Sequence, residues 1–93
     1  MIIGTCLVEI HIPYASSLKE KRQVVKSILA LTRNKFNISI AEVEDQDLWQ
    51  KAVLGVACVS NEAAQANSQI DKVVDFLESD GRFEVVKIEV EII

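Results

Sequence analysis

Six of the chain's ten Lys and Arg residues fall between Ser17 and Phe36: Lys19, Lys21, Arg22, Lys26, Arg33 and Lys35. Glu20 is the single acid among them, although the whole chain carries a formal charge of −4. Cations gathered in this way neutralise phosphate oxygens, the chemistry of nucleic-acid and anion binding. On a helical projection Lys19, Arg22, Lys26 and Arg33 fall in an arc of about 60°, a stripe along one flank. Lys19, Lys21 and Arg22 also stand in or just after the first turn, where the helix dipole disfavours positive charge by ~0.3–1 kcal/mol each. Free N–H groups and extra cations at that place suit a phosphate or carboxylate. The same charges equally fit solvated surface, or pairing with acids from elsewhere in the fold.

A second group follows the acids Glu44 and Asp45: Gln46, Asp47, Trp49 and Gln50, with hydrogen-bonding and stacking capacity for a partner or ligand. Catalytic chemistry finds no comparable grouping. Glu44, Asp45 and Asp47 share one polar turn with nothing to drive their pKa values apart. His11 can share a strand face with Glu9, but no nucleophile stands beside them. Cys6 and Cys58 lie in apolar runs without basic neighbours and read as buried thiols. Two cysteines and one histidine are too few and too scattered for a zinc site, and no glycine-rich phosphate loop is present. The expectation is a protein that is not an enzyme and uses no metal or cofactor.

These residues must be positioned by six elements. Ile2 to Ile12 alternates as a strand, with Ile2, Cys6, Val8, Ile10 and Ile12 on one face and Ile3, Thr5, Leu7, Glu9 and His11 on the other. Ser17 and Glu20 form a capping box that opens the basic helix, whose core side is Leu18, Val24, Val25, Ile28, Leu29, Leu31 and Thr32. Alternation resumes from Phe36 to Val43. A third strand from about Trp49 to Val59 follows so closely that the two form a hairpin. Ser60 or Asn61 caps a second helix with Ala63, Ala66, Ile70, Val73, Val74 and Leu77 inward, and Asp80-Gly81 stops it. The last strand, Phe83 to Ile92, sets Val86, Ile88, Val90 and Ile92 against Val85, Lys87, Glu89 and Glu91.

The order β-α-β-β-α-β predicts an α+β, ferredoxin-like split βαβ fold: a four-stranded antiparallel sheet with two helices on one face. The first and third strands belong at its centre, the second and fourth at its edges. Residues 1–93 form one domain, long enough to bury about 60–65% of its unfolded surface. No apolar run reaches the length of a membrane span and the start lacks signal-peptide features, so a cytoplasmic protein is expected. The topology brings Lys19, Lys21 and Arg22 to the same end of the sheet as Glu44, Asp45 and Asp47.

The opening MIIGTCLVEIHIP, the segment SLKEKRQVVKSI and the segment AEVEDQDLWQKAVLGVACVSN resemble the YlxP-like family of small uncharacterised bacterial proteins. The likeness spans essentially the whole chain. Its recurring positions are Ser17, Leu18, Lys19, Glu20, Lys21 and Arg22, then Gln46, Asp47, Trp49 and Gln50, none with a role to carry over. The resemblance implies a ferredoxin-like fold without an established activity. It also implies, through genes that commonly neighbour those of translation initiation and ribosome maturation, a part in ribosome assembly or RNA metabolism.

Three functions follow as expectations. The first is a ribosome- or RNA-associated accessory protein contacting phosphates through Lys19, Lys21, Arg22, Lys26 and Arg33. The second is a homodimer or other protein-interaction domain using the open sheet face, with Ile3, Leu7, Val53 and Val59. The third is a small-ligand regulatory domain, on fold analogy alone.

Overall fold

The computed structural model describes residues 1–93. Its elements are β1 (Ile2–His11), α1 (Leu18–Lys35), β2 (Ser39–Glu44), β3 (Lys51–Ser60), α2 (Ala63–Glu78) and β4 (Glu84–Ile92). All four strands pair antiparallel in the order β2-β3-β1-β4. This is the ferredoxin-like arrangement, with β1 and β3 central and β2 and β4 at the edges.

The period-two pattern of β1 and β3 decides which face meets the helices. Cys6, Val8 and Ile10 of β1 and Ala52, Leu54, Val56 and Cys58 of β3 are buried. They pack with Val25 and Ile28 of α1 and with Ala66, Ile70, Val73, Val74 and Leu77 of α2 in one core. Each fully buried branched side chain contributes about 1.5–3 kcal/mol. Gly4 is required by this packing. A Cβ there would stand 3.0 Å from Cys58 Sγ and 3.3 Å from the Ala66 methyl, so α2 rests almost on the β1 backbone.

Ser17 Oγ accepts from Glu20 N at 3.2 Å, half of the expected capping box. The Glu20 carboxylate turns back one residue further than expected, accepting from Ser16 N at 3.0 Å and Ser16 Oγ at 2.8 Å. Buried Thr32 is satisfied within the helix, its hydroxyl donating to Ile28 O at 2.6 Å.

Several local expectations are corrected. Leu31 is half exposed and does not belong to the core side of α1. Phe36 closes α1, and β2 begins only at Ser39. Glu62 occupies the N-cap of α2 without a side-chain cap, while Ser60 Oγ accepts from Glu62 N at 3.2 Å. In β4 the register shifts opposite Glu9/Ile10, so Val85 faces Ile10 and packs on the core. Val86, Ile88 and Val90, expected inward, are 51%, 41% and 45% exposed because they lie beyond the cover of the helices. No helix is long and apolar enough to cross a membrane.

Candidate nucleic-acid interface

The capping residues and the apolar side of α1 fix the helix on the sheet, which leaves its cationic flank outward. Lys19, Arg22, Lys26 and Arg33 are exposed. None of them is ion-paired: the paired cations are Lys21, Lys51, Arg82 and Lys87. Arg33 Nη2 donates to Ile40 O at 2.7 Å, so this flank borders edge strand β2 and one guanidinium arm is fixed there. The remaining donors of Arg33 stay available.

Lys21 is corrected. Its side chain is fully buried, with Nζ 2.7 Å from Glu42 Oε2 and donating to Asp45 O at 2.7 Å. It ties α1 to β2 and the following turn and has no surface to offer an anion. Of the first-turn N–H groups, that of Glu20 donates to Ser17 Oγ, while the Glu20 carboxylate accepts from the Ser16 N–H, whose bond lowers its pKa. The exposed cations of α1 without an ion pair therefore include Lys19, Arg22, Lys26 and Arg33, along the helix flank.

The expected meeting of first-turn cations with Glu44, Asp45 and Asp47 takes place only through Lys21, which uses the Asp45 carbonyl. The Asp45 carboxylate pairs instead with Lys51 at 3.2 Å, and Lys51 also meets Glu9 at 3.3 Å. Both acids raise the Lys51 pKa, Asp45 foremost. Asp45 itself adopts φ 62°, a left-handed conformation that Asp tolerates in turns, and its carbonyl also accepts from Leu48 N at 3.1 Å.

The second group divides by role. Gln50 Nε2 donates to Pro13 O at 3.2 Å and Ala15 O at 3.1 Å, bracing the β1–α1 loop against the base of β3. Gln46 Nε2 reaches only Glu42 O, at 3.4 Å. Asp47 is exposed, and Trp49 is 55% exposed, its ring open to a stacking partner. Tyr14, at 87% exposure in the loop that Gln50 braces, is a further aromatic that helical and strand periodicity passed over. Its only signal is its position beside Pro13 in a connecting loop.

Another missed feature is the groove of about 350 Å³ between the C-terminal halves of the helices, lined by Lys35, Phe36, Lys72, Asp75, Phe76 and Ser79. Lys35 Nζ lies 5.0 Å from the Phe76 ring centre, and the Phe36 and Phe76 rings meet edge to face at 5.6 Å. The cation is held over aromatic faces there, not against a carboxylate.

The thiols stand apart from all this. Cys6 and Cys58 are buried, and burial pushes the Cys6 pKa up to about 11. No group of three His, Cys, Asp or Glu side chains gathers as a metal cluster.

The fold is similar to that of a de novo designed protein with ferredoxin fold solved in solution. The TM-score is 0.61 at 16% identity, covering 99% of this chain and 85% of the designed one. In sequence the chain is 44% identical over 78 residues to the uncharacterized protein YlxP of Bacillus subtilis (strain 168), covering 84% of this chain and 85% of that protein. Residues 3–90 match the family described as "Protein of unknown function (DUF503)". With the match running from β1 into β4, across nearly the whole chain, the chain belongs to the DUF503 family.

Proposed function

We propose that this protein is a non-enzymatic accessory factor of the ribosome or another structured RNA, acting in the cytoplasm and gripping phosphates with the exposed flank of α1. One observation supports this above the others. Four of the ten cations are ion-paired, and of the six that are not (Lys19, Arg22, Lys26, Arg33, Lys35 and Lys72) five lie on or end α1. An acidic chain with carboxylates to spare leaves this helix unneutralised. Phosphate contacts position a protein without reading bases, so recognition would rest on RNA shape. The exposed Trp49 and Tyr14 offer stacking faces at the same end of the sheet as the start of α1.

Three phosphate contacts, from Lys19, Arg22 and Lys26, predict a log–log salt slope of about −2.7, or roughly a 40-fold loss of affinity between 50 and 200 mM salt. Co-sedimentation with ribosomal subunits and with deproteinised ribosomal RNA over a salt series tests this. Arg22→Glu/Lys26→Glu is expected to abolish most of the binding. Undetectable or salt-insensitive binding overturns the proposal.

A homodimer or small-ligand site on the open sheet face takes second place. It draws on a shallow trough of about 460 Å³ lined chiefly by Thr5, Leu7, Ala41, Val43, Gly55 and Ala57. Val53, counted as an exposed member of that face, is buried. The neighbouring surface is crowded with Glu9, Glu44 and Glu89, charges that a face-to-face contact would have to desolvate.

A further inference from the structure

The two sheet edges differ. Edge strand β2 is six residues long, is interrupted by a register shift between Glu42 and Glu44, and has the carbonyls of Ile40 and Glu42 already accepting from Arg33 and Gln46. Those are the devices by which an edge is closed to further pairing. Edge strand β4 is nine residues long and contains no proline; the one side chain bonded to its backbone, Thr5 Oγ1 donating to Glu91 O at 3.3 Å, lies on the β1 side, and its register shift falls near its start, between Val85 and Lys87. It also carries three half-exposed apolar residues in a row on the helix side, Val86, Ile88 and Val90.

The free backbone groups of β4 can be identified. Ile3 N donates to Ile93 O at 3.0 Å and Ile93 N to Ile3 O at 2.8 Å, which makes Ile3–Ile93 a hydrogen-bonded pair. Alternation along the antiparallel ladder makes Thr5–Glu91, Leu7–Glu89 and Glu9–Lys87 hydrogen-bonded pairs as well. The N–H and C=O groups of Lys87, Glu89 and Glu91 are thus turned into β1. Those of Ile88 and Val90 point outward, unpaired.

We infer that β4 is a self-association edge, occupied by β4 of a second copy of this chain running antiparallel about a two-fold axis at Ile88. The charge pattern selects both occupant and register. With Ile88 opposite Ile88 of the second copy, Lys87 stands opposite Glu89, Glu89 opposite Lys87, and Val86 opposite Val90. The two Ile88 residues exchange both ladder bonds. Moving the axis to Val90 keeps the hydrogen-bond phase but sets Glu89 against Glu91, like charges that destabilise a directly opposed pair. A two-fold normal to the sheet keeps both helix layers on one side, so the valine and isoleucine rows of the two copies merge into one apolar strip. The outcome is a continuous eight-stranded sheet whose outer edges are both the blunted β2, so assembly stops at two copies.

Sedimentation equilibrium over a protein concentration series, paired with amide hydrogen exchange, tests this with the full chain. The expected species at high concentration is about twice 10.4 kDa. Exchange at Ile88 and Val90 slows as concentration rises, while Glu89 and Glu91, protected already in the monomer, change little. Lys87→Glu and Glu89→Lys each weaken the dimer by about tenfold or more, and the double exchange, which recreates opposite charges across the axis, restores it. All of these side chains are exposed, so the fold is retained. A monomer at every concentration, or a dimer in which Ile88 and Val90 exchange as freely as in dilute protein, overturns the inference.

Discussion

Replacing Lys21 with Met separates a structural cation from the surface ones. The substitution keeps the apolar stem that threads the core and removes only the ammonium group. Two acceptors are left behind: the Glu42 carboxylate, 16% exposed, and the Asp45 carbonyl, each 2.7 Å from Nζ. Removing one partner of a buried pair costs about 3–5 kcal/mol, and the partial access of water to Glu42 places the loss at the lower end, about 3 kcal/mol. For a domain of this size that lowers Tm by about 15 °C. The assay is denaturant and thermal unfolding followed by circular dichroism, with Lys21→Met/Glu42→Met as the second arm. Replacing both partners by apolar groups removes the stranded charge, so the double variant is expected to recover most of the loss. Salt-dependent RNA affinity of folded Lys21→Met should match that of the parent, the reverse of Arg22→Glu/Lys26→Glu. A Lys21→Met protein within 1 kcal/mol of the parent, or one that loses RNA affinity while fully folded, refutes the assignment of Lys21 to the interior.

Other outcomes are expected from the same structure. Asp80 makes paired bonds to Arg82 at 2.7 and 2.8 Å, and these hold its carboxyl below the usual range. A lowered native pKa contributes stability above the ordinary carboxylate range that is lost as pH falls through the native value. Asp80→Asn should therefore cost about 1 kcal/mol or less at pH 7, Arg82 being 39% exposed and screened, and nothing near pH 2, as read by urea midpoints across pH. At Gly55 a Cβ would stand 2.9 Å from Val43 Cγ1, so Gly55→Ala should destabilise by about 1 kcal/mol, and Val43→Ala should relieve it in the double variant. Neither Cys6 nor Cys58 should react with a thiol reagent at pH 8 until denaturant is added; rapid native labelling of Cys6 would contradict its burial.

The fold was legible in the sequence because alternation in β1 and β3, and the helical spacing around Val25–Ile28 and Ile70–Val74, both report burial, and burial is what orders the elements. Lys21 was misread for a related reason. Periodicity places it toward the core side of α1, but a lysine on a helix flank is counted as solvent-facing unless its partner is known, and Glu42 lies on a different element. Tertiary pairing of this kind leaves no local trace. Strand β4 shows the opposite failure. Its Val86, Ile88 and Val90 have the pattern of a buried row, yet two helices of this length cover only the middle of a four-stranded sheet. Tyr14 could be placed in a loop, and Trp49 was expected to open β3, which begins only at Lys51; their exposure depended on how the two loops fold against one another through Gln50.

The pairing of Ile3 with Ile93 fixes an order of events during synthesis. The central strand β1 is made before α1, β2, β3 and α2, yet one of its neighbours, β4, follows all of them. Until β4 emerges, β1 exposes a full edge of unpaired backbone beside its finished contact with β3. Contacts this distant in sequence carry a large loop-closure cost and slow folding. A nascent chain of this protein therefore passes an interval with its central strand as an open template, and during it that strand is exposed to chaperones and to misassembly.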